Sequence, residues 1–123
     1  MPFLDTVLRF FIGSRNERLV KSMWPVVDKI MAMFPKTNAM SDQELKDYTQ
    51  RLKDRRRDGE ALDDLLVEAF ALVREASWRV LGNKQMVKDP ISGDTIPFKA
   101  HFPVQLMGGI VLHNGRISEM VTG

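Results

Sequence analysis

Few residues of this 123-residue chain have the type and spacing to do chemistry. Cysteine is absent and histidine occurs only as His101 and His113, which removes thiolate nucleophiles, disulfide frameworks and any zinc site built from cysteine and histidine. Neither histidine has a serine, cysteine or aspartate at a recognisable catalytic spacing, so both read as structural or surface groups. Arg55, Arg56 and Arg57 could touch phosphates. No interleaved aromatics or reader motif accompany them, so a solvated helix end is the reading and nucleic acid is not an expected partner. Gln105 carries one amide donor group and one acceptor. Taken alone, a glutamine on a helix is simply exposed to solvent. Thr122 and Gly123 follow a stretch, Arg116 to Val121, whose alternation suits a strand.

A succession of helical patterns must carry these groups. Phe3, Leu4, Val7, Leu8, Phe11 and Ile12 repeat at helical spacing, with Asp5, Thr6 and Arg9 opposite, and predict a short amphipathic helix ending near Gly13. Leu19, Met23, Val26, Val27, Ile30 and Phe34 predict a second helix ending at Pro35. Pro25 inside it removes a backbone donor and crowds the preceding turn, so a kink or restart is expected there. Ser41-Asp-Gln-Glu44 has the spacing at which a serine hydroxyl and a glutamate carboxylate satisfy each other's free amides at a helix start. That helix passes Leu45, Tyr48 and Leu52 to the three arginines, which suit the carboxyl end of the helix dipole, and stops at Gly59.

Leu62, Leu65, Leu66, Ala69, Phe70, Val73, Ala76, Val80 and Leu81 form the longest apolar stripe and are expected to be core. Asp63 and Asp64 complement that helix start, and Gly82 is the expected cap. Between residues 83 and 101, turn formers separate short β-prone pieces, which predicts a loop or small hairpin. Pro103 suits the first turn of a helix carrying Val104 to Leu112, despite Gly108 and Gly109, and Asn114-Gly115 make a turn.

A composition of 44% hydrophobic and 28% charged residues fits one globular unit or a piece of a larger one. The net charge of +2 hides an asymmetry: residues 1 to 58 hold 12 Lys and Arg against 8 Asp and Glu, and the remainder hold 6 against 8. No apolar run approaches the roughly 20 residues of a membrane span. The first dozen residues lack a leading Lys or Arg and a small-residue cleavage site, so a secretory signal is not expected. Their apolar face, with Arg9, Arg15 and Arg18 nearby, suits an anionic lipid surface. It suits equally well packing on its own protein or on a second copy.

Three colinear stretches carry a family resemblance: Phe11-Ile-Gly-Ser-Arg-Asn-Glu-Arg18; Ser41-Asp-Gln-Glu-Leu45 followed by Glu68-Ala-Phe-Ala-Leu-Val-Arg-Glu-Ala76; and Phe102-Pro-Val-Gln105 through Met120-Val-Thr-Gly123. Together they resemble the amino terminus of SecA, the motor ATPase that drives preproteins through the bacterial SecY channel. Residues 83 to 101 are longer than the connection many SecA proteins make there. The resemblance implies a mostly α fold leading into the first strand of a RecA-like α/β nucleotide-binding domain. It divides the chain into amphipathic and kinked helices over 1–40, a two-helix segment over 41–82, an insertion loop or hairpin over 83–101, and an adenine-binding motif opening the nucleotide-binding domain over 102–123.

In that family Met-x-Thr-Gly continues into Glu-Gly-Lys-Thr, so Thr122 and Gly123 correspond to the threshold of a phosphate loop. In such loops backbone amides and a lysine hold the phosphates of ATP, and a hydroxyl residue holds Mg2+. Val121 stands where an arginine is common. Gln105 corresponds to the adenine-reading glutamine, whose amide donor and acceptor match adenine N7 and N6, and Phe102 could pack against the base. No catalytic or metal-ligating residue is expected within these 123 residues, which alone should be inactive and bind nucleotide weakly. Implied partners are the SecYEG channel, unfolded preproteins, an anionic membrane surface and a possible second copy. Phe3, Leu4, Val7, Leu8, Arg9, Phe11, Ile12 and Arg15 would dock to membrane or channel. The implied location is the bacterial cytoplasm and the cytoplasmic face of the inner membrane. Two other readings are a non-enzymatic helical binding module and a different helicase-type ATPase.

Overall fold

A helix with apolar residues on more than one side must be covered on more than one side. The computed structural model, which describes residues 15 to 119, meets this requirement by packing three helices directly on one helix, with the last helix seated chiefly on the first and touching that central helix at its edge. The elements run α1 (Arg15–Ala32), α2 (Phe34–Asn38), α3 (Asp42–Arg57), α4 (Leu62–Val80), β1 (Met86–Lys88), β2 (Thr95–Pro97) and α5 (Pro103–His113). α4 is the shared wall. One cluster joins its Leu66 and Ala71 to Val27 and Ile30 of α1 and to Leu106, Met107 and Ile110 of α5. The other joins its Leu65 and Leu72 to Leu45, Tyr48 and Leu52 of α3. The expected amphipathic helix over residues 3 to 12 lies outside the described residues. Among the described residues no helix is long and apolar enough to cross a membrane.

Two helix ends follow local chemistry closely. At α3, Ser41 Oγ accepts from the Glu44 amide at 3.1 Å, while Glu44 Oε1 accepts from the Ser41 amide at 3.3 Å. At its other end Gly59, with φ 104°, lets its own amide reach the Arg56 carbonyl and the Glu60 amide reach that of Arg55. Three expectations are corrected. Pro25 lies inside an unbroken helix, on a solvent-exposed side where the lost hydrogen bond is cheap, and the restart comes at Met33. Pro35 does not end a helix. It occupies the first turn of α2, where no amide donor is needed. Arg55 is only partly solvated, since its side chain, 40% exposed, bridges Glu60 and Glu68, both at 2.5 Å, whereas Arg56 and Arg57 are exposed as expected.

The apolar stripe of α4 is core only in part: Leu65 and Leu66 are buried and Ala69 and Phe70 half-buried, as expected, but the rest of the stripe is not. Leu62, Val73, Val80 and Leu81 are exposed, whereas Arg74, Glu75 and Trp78 are buried. Polar bonding makes that exchange possible. Glu75, with a side chain 0% exposed, accepts from Arg79 Nε at 2.9 Å and from the Thr37 hydroxyl at 3.4 Å. Arg79 in turn donates to Asp42 and to the carbonyls of Thr37 and Met40, pinning α2 and the start of α3 to α4. Its hydrogen bond holds the Asp42 carboxyl below the usual range.

Gly82 is no left-handed cap. It is a contact, because a Cβ there would meet the Phe98 carbonyl oxygen at 1.9 Å. Asn83 and Lys84 take the positive φ angles instead. β1 and β2 pair antiparallel, Met86 with Pro97 and Lys88 with Thr95, around a turn in which the Asp89 carboxylate accepts from the Ile91 amide and the Ser92 hydroxyl. Arg116 to Glu119, the opening of the expected strand, have no β-ladder partner among the described residues. A strand needs a neighbouring strand to complete its backbone hydrogen bonds.

The buried pair makes a sharp prediction. Arg79→Met strands the Glu75 carboxylate and should cost about 3 to 5 kcal/mol in urea unfolding, while Glu75→Met with Arg79→Met should recover most of the loss. A single-variant cost under about 1 kcal/mol would contradict this account. A second prediction uses Tyr48, the only tyrosine. Burial, and then its 2.7 Å hydrogen bond to Glu68, push its pKa from 10.0 up to about 12. The stabilisation is therefore complete below pH 10 and lost as pH rises through 12. Tyrosinate absorbance should show this midpoint in the folded chain, a lower one in Glu68→Gln, and the ordinary value in urea.

Candidate functional site

The site is built at the start of α5. Phe102 is extended, at φ −74° and ψ 157°, and Pro103 follows it at the first helical position. A phenylalanine has no oxygen with which to cap a helix. Gln105 supplies half of the missing cap by folding back, its Oε1 accepting from the Phe102 amide at 2.9 Å. Because an N–H can be accepted only by oxygen, the Gln105 NH2 faces outward.

The other end of the same peptide is held from α4, where Arg74 Nε donates to the His101 carbonyl at 3.0 Å. Arg74 is 6% exposed and its guanidinium lies 5.6 Å from the centre of the Phe34 ring. Burial pulls its pKa down. Two further bonds lace the hairpin and the approach to α5 onto α4: Ser77 Oγ to the Lys99 carbonyl at 2.6 Å, and Trp78 Nε1 to the Gln85 carbonyl at 2.7 Å. The far end of α5 is tied by His113 Nε2 to Asp63 Oδ1 at 2.6 Å, which suits both helix termini.

Gln105 edges a groove of about 430 Å3 between α4 and α5, walled by Phe70 and Val73 on one side and Leu106, Gly109 and Leu112 on the other. This is the size and character of a small-molecule cleft, apolar with a few polar groups. Gly109 shapes it, since a Cβ there would lie 2.9 Å from Phe70 Cε2. The glycine that weakens the helix is what lets the ring lie against its backbone. Among the described residues no three acidic or histidine side chains gather to hold a metal ion.

Of the residues singled out from the sequence, the structure places Gln105 at the groove and Phe102 beside it as the cap. Phe102 is 51% exposed and is not part of the groove wall. Arg15 opens α1. Thr122 and Gly123, and Phe3, Leu4, Val7, Leu8, Arg9, Phe11 and Ile12, lie outside the described residues. Phe70, Arg74 and Gly109 were not anticipated. Gly108-Gly109 in mid-helix was the legible signal for the last, since a glycine inside an element marks a close approach.

Comparison with known proteins gives first a class and then a family. The description "SecA DEAD-like domain" matches residues 8–123. Proteins named protein translocase subunit SecA are similar over nearly the whole chain. That of Caldicellulosiruptor saccharolyticus is 45% identical over 117 residues, 95% of this chain and 12% of its own length. That of Bordetella petrii is 48% identical over 118 residues, 96% of this chain and 11% of its own, and that of Acetivibrio thermocellus 48% over 117 residues, 95% and 11%. The chain belongs to the SecA family, and it spans 11 to 12% of the length of these relatives.

The groove geometry predicts the effect of filling Gly109. Gly109→Ala should push the Phe70 ring, a loss that outweighs the roughly 1 kcal/mol of helix propensity gained and leaves a net cost of up to about 2 kcal/mol in thermal unfolding. Phe70→Leu placed in the same background should return part of the stability, whereas strictly additive losses would mean that the two residues do not press on one another.

Proposed function

We propose that the chain is the opening part of a SecA motor that couples ATP binding and hydrolysis to preprotein translocation through SecYEG, and that Gln105 is its adenine reader. The observation that supports this most is the Gln105 carboxamide, oriented by its own helix start at the edge of an apolar groove of about 430 Å3, in a chain matching the SecA DEAD-like domain. Gln105 Oε1 has a second lone pair after capping Phe102, so one acceptor and one donor group remain for adenine N6 and N7. The apolar walls suit a purine. Phe102 would flank the base from outside the groove.

Thr122 and Gly123 begin the phosphate loop in this reading. The loop's remaining amides and lysine would hold the phosphates, and Mg2+ would supply charge neutralisation there. These 123 residues alone then have base selectivity without turnover. Phe3, Leu4, Val7, Leu8, Arg9, Phe11, Ile12 and Arg15 would serve docking to the channel, to an anionic membrane surface or to a second copy. The protein would work in the bacterial cytoplasm and peripherally on the inner membrane, with unfolded preproteins as clients.

The test is Gln105→Ala in the whole ATPase. Competition binding should show the preference for ATP over GTP falling by about tenfold, the worth of one two-point base contact. An unchanged preference would remove Gln105 from base recognition.

A further inference from the structure

We infer that Arg74 is a positioning residue for base recognition: from inside the protein it fixes the peptide between His101 and Phe102, and that peptide fixes which way the Gln105 carboxamide faces. The inference rests on the adenine-reading role proposed above and adds the group that sets its polarity.

The His101 carbonyl and the Phe102 amide are the two ends of one planar unit. Arg74 Nε donates to the first at 3.0 Å, and Gln105 Oε1 accepts from the second at 2.9 Å. A guanidinium stays protonated in proteins, so at this end the donor never reverses. Peptide planarity carries the constraint across, and the cation polarises the N–H into a stronger donor. The outward edge of Gln105 is therefore fixed as an NH2 group beside the free lone pair of its oxygen. That order complements adenine. Guanine presents acceptors at both O6 and N7, and one of them would face the glutamine oxygen.

The placement of Arg74 argues that this hydrogen bond is its task. Burying a cation is costly unless it is well bonded. No ion pair among the described residues includes Arg74. Its closest partners are the Phe34 ring and the carbonyl that precedes the base-reading helix, and the Glu75 carboxylate adds a favourable charge without an ion-pair contact.

The test uses the whole ATPase, with ATP and GTP competing for a fluorescent ATP analogue in the presence of magnesium. Arg74→Met should lower the ATP-over-GTP ratio by about threefold or more, a fraction of the roughly tenfold or greater worth of a hydrogen bond from a charged donor, because the effect is passed on through the peptide. Arg74→Lys, which keeps a cationic donor without the planar fork, should fall between wild type and Arg74→Met. Gln105→Ala with Arg74→Met should match Gln105→Ala alone, because no carboxamide is left to orient. Equal weakening of both nucleotides by Arg74→Met, or a further loss of selectivity in the double variant, overturns the proposal in favour of packing alone. Should Arg74→Met fail to fold, Arg74→Lys decides: a reduced ratio that Gln105→Ala abolishes supports the proposal, and equal weakening of both nucleotides overturns it. A changed ratio in Gln105→Ala with an unchanged one in the Arg74 variants sinks the positioning role alone. An unchanged ratio in Gln105→Ala sinks the base-reading role itself.

Discussion

A carboxylate with no exposure to water must be neutralised by its neighbours, and Glu75 is such a carboxylate. Arg79 answers it from the next turn of the same helix and then spends its remaining donors on Asp42 and on the carbonyls of Thr37 and Met40. The pair therefore does more than cancel charge. It turns the end of α4 into a clamp on the connection between α2 and α3, a segment with too few apolar residues to hold itself. Apart from Arg74, burial outside the clamp is ordinary apolar packing, shared between the α1–α4–α5 cluster and the α3–α4 cluster.

The candidate site depends on the same helix. Phe70 forms one wall of the groove, Arg74 holds the peptide that begins α5, and Ser77 and Trp78 hold the chain on either side of the hairpin. Spaced along one face, these residues let a single rigid element set both the shape of the groove and the orientation of its polar edge. A side chain placed by a helix is more closely defined than one on a loop. Gln105 gains that definition although it stands at a helix start, because its cap is fixed from α4.

What was legible in the sequence was local. The reciprocal cap of Ser41 and Glu44 and the glycine stop at Gly59 need only residues a few positions apart, and both stand as expected. Gln105 was singled out through its motif rather than its periodicity, and the structure adds its bond to the Phe102 amide and its place at the edge of the groove. The buried face of α4 was not legible, because Arg74, Glu75 and Arg79 have the composition of a solvated stripe, and only contacts 27 to 42 residues away make them interior. The apolar residues Val73 and Val80 misled for the converse reason. Gly82 shows the same limit: it was read as an end, and it proves to be fitted to the Phe98 carbonyl, a partner that sequence spacing does not reveal.

On the proposed adenine-reading role, the division of labour at the start of α5 follows from the physics of nucleotide binding. Nucleoside triphosphates differ only in the base, so a group that reads the base contributes selectivity, whereas the charged phosphates supply interactions common to all of them. Selectivity needs rigidity more than strength, because a carboxamide free to rotate by half a turn offers guanine the same welcome as adenine. A buried cation holding a peptide, and a peptide holding an oxygen, remove that freedom before any ligand arrives. On the proposed adenine-reading role, the constraint on base choice lies in the contacts that run from Arg74 of α4 through the His101–Phe102 peptide to Gln105.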